Sequence, residues 1–211
     1  MVTDAMLLDA RILFNQLSLQ HYLQAEVFSR GWWFIVAMLL VLYYTWWRLL
    51  DKSRFMEILL FGSFMAVSNA FMDNIGTSAS RWMYFTRLVP LSPGPFPIDY
   101  SVVPILSMLA YQYTNSWRSF LVGISIASGL LTAIIFPIMT SLNIKHHYNF
   151  HLYTYFFMVV VASLFARYLI LAIIKRQLNE EGVEKPDRLL SPRLAPSMRP
   201  LDKEKEPDGQ L

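Results

Sequence analysis

Cysteine is missing from this 211-residue sequence, so it can form no disulfide, thiolate metal site or cysteine nucleophile, and it carries no sign of its redox compartment. Charge is missing from two long tracts: residues 31–47 (GWWFIVAMLLVLYYTWW) and 119–142 (SFLVGISIASGLLTAIIFPIMTSL) hold no Asp, Glu, Lys or Arg. Also absent are HExxH, GxSxG, a Walker loop and a Rossmann fingerprint, which closes the common routes to an enzyme. The N-terminal MVTDAMLLDARILF lacks the basic n-region, apolar core and small-residue cleavage site of a signal peptide. The first long apolar helix is therefore expected to act as an uncleaved insertion signal.

What is present is apolar and aromatic. Hydrophobic residues make up 55% and aromatics 15% of the chain, with a mean hydropathy of +0.38, a combination that soluble domains rarely reach. Crossing a hydrocarbon layer of ~30 Å takes ~20 mostly apolar residues. The sequence therefore predicts an all-α, integral membrane helical bundle over residues 31–174, with about five transmembrane helices at 31–47, 55–75, 99–117, 119–142 and 148–174. Trp32 and Trp33 at one end of the first helix, and Tyr43, Tyr44, Trp46 and Trp47 at the other, form two interfacial belts.

Helix 99–117 is diluted by Pro104, Gln112, Tyr113 and Asn115 and needs neighbours to satisfy its polar groups. In helix 119–142, Gly123, Ser125, Ala127, Ser128 and Gly129 offer a small-residue face and Pro137 a kink. Residues 1–30 carry Leu8, Ile12, Leu19 and Leu23 near one helical face, predicting an amphipathic helix that ends at Arg30-Gly31 and lies on the membrane, on the bundle or on a partner. The loop 76–97, with Pro90, Pro93, Pro95 and Pro97 among several aromatics, is expected to fold back on the bundle. Residues 175–211 are charged and proline-rich and are expected to form a disordered tail.

The net charge of +3 and pI near 9.1 come from basic residues at helix ends and in the tail, which argues for membrane orientation and against nucleic acid. With five crossings, 12 Lys and Arg fall on the side of the C-terminus and 5 on the other. This predicts a plasma-membrane protein with its N-terminus outside and C-terminus cytoplasmic. If helix 99–117 does not cross, both termini share a side.

Ionisable groups near membrane depth are expensive, and this singles out Asp73, Arg81 and Asp99, with Gln112 as additional polar lining. Asp73 and Asp99 bracket the 76–97 loop and could share an outer vestibule, with Arg81 pairing one of them. The structural alternatives are that Asp99 caps its helix and that Asp73 pairs with Arg81 or Arg87. His146, His147 and His151 are weak metal candidates, because His147 and His151 would share a face if the last helix starts early. Interfacial histidines beside Lys145 and Tyr148 are the commoner explanation. Arg167 is expected to snorkel along its helix toward the interface. No resident metal or cofactor is expected.

Trp32-Trp33, the Trp46-Trp47 to Asp51-Lys52 joint, Arg54 with Glu57-Ile58-Leu59, Phe61-Gly62, Asp73 to Gly76, and Trp82 with Tyr84 form a recurring set. Pro97-Ile98-Asp99, Pro104, Met108 to Tyr113 and Ser116-Trp117 continue it. Over residues 20–170 this resembles a family of small, uncharacterised multi-pass membrane proteins found mainly in spore-forming Firmicutes. The resemblance implies a Gram-positive plasma membrane and about five helices, and the family brings no established activity. Members often carry an acidic residue before the fourth-helix proline, where this chain has Phe136.

The expected function is that of a non-enzymatic accessory or scaffold protein, partnered by the lipid bilayer and by another membrane protein or further copies of itself. A small oligomeric transporter, channel subunit or solute-binding membrane protein is the alternative, and a metal-dependent membrane enzyme comes third.

Overall fold

The computed structural model describes residues 2–90, 97–148 and 150–180. Pro93, Pro95 and Phe96 of the loop, and the tail from residue 181 onward, lie outside them. The chain is mostly helical. Four helices are long and apolar enough to cross a membrane: Arg30–Leu49, Lys52–Ser78, Trp117–Ser141 and Leu152–Arg176.

Helix α1 (Asp4–His21) is capped by Thr3, whose hydroxyl accepts the Met6 amide, and widens into a π turn, Tyr22–Glu26. The predicted break at Arg30-Gly31 falls earlier. Phe28 takes a left-handed φ of 61° and Ser29 caps α2 (Arg30–Leu49). The Asp51 carboxylate accepts the Ser53 amide and starts the short turn into α3 (Phe55–Ser78).

A π turn (Ile98–Val102) leads into α4 (Val103–Gln112). The capping box of Ser116 and Ser119 opens α5 (Trp117–Leu130), which continues through a π turn (Leu131–Ile135) into α6 (Phe136–Ser141). Helix α7 (Leu152–Glu180) begins four residues later than expected and runs six residues past Ile174. Pro104 and Pro137 each stand just behind a π turn, where a widened ring of the helix absorbs the missing N–H.

The segment 98–112 is not among the four long apolar helices, yet it lies at the centre of the bundle, with Tyr100 its one exposed residue. Its partner across the core is α3. Gly62 lets the Met108 sulfur come where a Cβ would stand 2.4 Å away, and the rings of Phe61 and Tyr111 stack at 4.4 Å. A central helix touches protein on every side, so it can be short and polar as long as its neighbours supply hydrogen bonds.

One feature departs from a purely helical reading. Residues Trp82–Tyr84 (β1) and Lys145–His147 (β2) form an antiparallel pair, with Trp82 opposite His147 and Tyr84 opposite Lys145. Ser80 and Asn143, both at positive φ, turn the chain out of α3 and α6 just ahead of these strands. Side chains alternate across a strand, so Trp82 and Tyr84 go inward while Met83 is exposed.

Candidate buried carboxyl–lysine site

The strand pair closes one end of the bundle, and beneath it lies a sealed polar cluster. From α3, Asp73 Oδ1 accepts the Trp82 indole N–H at 2.7 Å and the Tyr84 hydroxyl at 2.6 Å. From the π turn, Asp99 Oδ1 accepts Asn69 Nδ2 at 2.6 Å, and Asn69 Oδ1 accepts the Tyr155 hydroxyl of α7 at 2.7 Å. Asp99 also lies close enough to Asp73 for the two carboxyl groups to repel each other when charged. Asp73 is 2% and Asp99 4% exposed.

Lys145 faces this pair from β2 and is fully buried. Its Nζ lies over four rings: Phe136 at 4.4 Å, Trp82 at 4.9 Å, Tyr84 at 5.0 Å and Tyr155 at 5.1 Å. Cation–π attraction gives up to ~2 kcal/mol per desolvated ring, whereas burying an ion costs several kcal/mol. The rings roughly offset that cost, and the facing carboxyls tip the balance toward the charged form. Burial pushes the ammonium down to about 8, against the opposing pull of Asp73 and Asp99.

The sequence-predicted residues divide between two ends. Asp73 and Asp99 come together, but sealed beneath the strand pair and not in the open outer vestibule expected from the sequence. Asp99 is not a helix cap, and Asp73 pairs with indole and phenol groups in place of arginine. Arg81 stands in the exposed turn between α3 and β1, where its backbone bonds Gly76 and Tyr148. Gln112 belongs to the opposite end, donating to the Leu49 carbonyl and accepting the Asp51 amide.

The histidines do not share a helical face, because α7 starts at Leu152. His146 bonds Asn143, His147 sits in β2 stacked with Phe150, and His151 stacks on Tyr153. Burial, with Lys145 and His146 nearby, pushes His147 down to about 4.

Arg167 does not snorkel. It is 1% exposed at the end opposite the carboxyl pair, with its guanidinium 4.5 Å from the Phe120 ring, 5.2 Å from Trp117 and 5.7 Å from Tyr111. Beside it, Arg54 pairs with Glu57, which also accepts the Tyr111 hydroxyl at 2.5 Å. Lys145 and Arg167 thus form two buried, ring-lined cation sites at opposite ends.

On the carboxyl side, the buried Glu26 pairs with the part-buried Arg87. Arg87 donates from its backbone N and Nε to Glu26 Oε2 and from Nη2 to Oε1, while Nη1 reaches Ser18. Burial works to raise the Glu26 pKa, but bonds from Arg87 and His21 outweigh it and hold the carboxyl below its ordinary value.

These features define a mostly helical chain with membrane-length helices and polar groups sequestered at its two ends. No known family model, curated protein or solved structure matches it.

Proposed function

We propose that this chain is a polytopic plasma-membrane protein that crosses the bilayer five times, N-terminus outside and C-terminus cytoplasmic, and serves as a non-enzymatic accessory or scaffold. The reading rests on one observation above others. The long helices turn apolar side chains such as Leu40, Val67, Phe71, Val122, Ile126, Val161 and Phe165 outward, while their charged and amide groups are spent on one another inside. Such a surface suits lipid and helix-to-helix association.

The five-crossing reading is supported by the central helix: Asp99 meets Asn69 at one end and Tyr111 meets Glu57 at the other, so segment 98–112 runs antiparallel to α3, and we read it as a short third crossing.

The buried Asp73–Asp99 pair favours a second reading, a small oligomeric transporter or channel subunit that uses these carboxyls. Purification from native membranes in mild detergent, alongside reconstitution into proteoliposomes, separates the two. The scaffold reading expects a stoichiometric complex with another membrane protein and no solute flux. A flux abolished by Asp99→Asn, with the protein still folded, would replace it with the second reading.

A further inference from the structure

We propose that Asp73, Asp99 and Lys145 form an exchangeable proton-binding site whose occupancy holds the β1–β2 pair against the bundle. Two carboxyls, 2% and 4% exposed, face a single buried ammonium, and two like charges sealed together from water do not both ionise. The Asp73–Asp99 pair therefore carries one proton and one negative charge, and the Lys145 ammonium brings the cluster to neutrality. An independent observation points the same way: Lys145 Nζ is wholly buried, with no hydrogen-bond partner among the described residues, so beyond the four rings its compensation comes from the carboxyl charge it faces.

The groups around the cluster come from every element packed there. They are Asp73 and Asn69 of α3, Asp99 of the π turn, Trp82 and Tyr84 of β1, Lys145 and His147 of β2, Phe136 of α6 and Tyr155 of α7. Three of these anchors, Trp82, Tyr84 and Lys145, belong to the strand pair. Loss of the shared proton would leave two carboxylates against one ammonium in a water-poor setting, an imbalance relieved by lifting the strands and admitting water.

The closed form then binds one proton more than the open form, so opening is favoured tenfold per pH unit as pH rises. The clean window runs from about pH 6.5 to 8. Below it His147, neutral when closed, takes up a proton on opening and offsets the effect. Above it the buried Lys145, pushed down to about 8, offsets it from the other side.

Infrared spectroscopy of the full chain in nanodiscs reads the proton directly, and hydrogen exchange at 82–86 and 144–147, corrected for intrinsic rates, reads the strands. At pH 7 the wild type should show one buried protonated carboxyl, lost in both Asp73→Asn and Asp99→Asn, where the remaining carboxylate ionises against Lys145. In Lys145→Met a second protonated carboxyl should appear, because the lone negative charge then has no partner. Strand opening in the wild type should steepen with pH across the window and become flat in Asp99→Asn. If that variant does not fold, Lys145→Met carries the test alone. A wild type without a protonated carboxyl at pH 7, a Lys145→Met spectrum unchanged from it, or strand opening independent of pH would overturn the proposal.

Discussion

A Cβ on Gly76 would stand 2.0 Å from the Trp82 ring, so the seat of the indole is set by the absence of a side chain on α3. Trp82 in turn delivers its N–H to Asp73 and one ring wall to Lys145. Gly76→Ala should therefore displace Trp82 and cost about 1–3 kcal/mol, the usual range for overpacking. Thermal unfolding in detergent checks this, and Gly129→Ala is the control, because a Cβ there meets nothing within 4 Å. At this scale the sequence was half legible. Asp73 and Asp99 stand out as carboxyls at the borders of apolar runs, and the structure joins them. Lys145 is hidden among two histidines that read as an interface, and its burial depends on four rings from three separate elements. Gln112 was grouped with Asp99 through residue type alone, yet 13 residues of helix at ~1.5 Å each separate them by roughly 20 Å.

Among the elements, α1 depends most on a single attachment. It buries none of its own residues and is held through the Glu26–Arg87 pair, the Ser18 bonds and the Tyr22 hydroxyl on the Leu88 carbonyl. Glu26→Gln leaves the part-buried Arg87 with a weakened partner, a loss of about 1–3 kcal/mol. Protease cleavage near Val27–Ser29 should rise sharply in this variant. The pair also carries a pH dependence. Because the folded Glu26 pKa is lowered, its stabilisation is full above the unfolded value of 4.5 and lost as pH falls below it. Wild-type cleavage at this site should therefore increase in acid, and Glu26→Gln should not respond.

His147 in β2 has a similar sign. It stays neutral in the fold down to about 4, while the unfolded chain takes its proton near 6.5. Its penalty therefore grows as pH drops from 6.5 to 4, and His147→Phe should gain thermal stability over wild type across that window. Helix existence was readable from hydrophobic runs. The strand pair was not, because three-residue strands carry too short a period. The π turns before Pro104 and Pro137 were visible only as proline punctuation, which predicts a distortion but not its kind.

At the scale of the whole molecule, the segment too short to stand among the four long apolar helices is the one the others surround. Its polarity reflects contact with protein on all sides, and its length, short of the four outer helices, follows from lying between them. This helix falls outside the long apolar set because it is only 10 residues long, while the contacts of Asp99 with Asn69 and of Tyr111 with Glu57 lay it along α3. The five-crossing arrangement depends on this helix, and the absence of native cysteine allows single probes to be placed cleanly. The decisive measurement is labelling of Ser80→Cys, Ser116→Cys and Ser197→Cys in intact cells with a membrane-impermeant thiol reagent. The account predicts reaction at position 80 alone, with 116 and 197 reacting only after permeabilisation. Labelling of position 116 or 197 in intact cells would contradict the five-crossing topology and the orientation proposed with it.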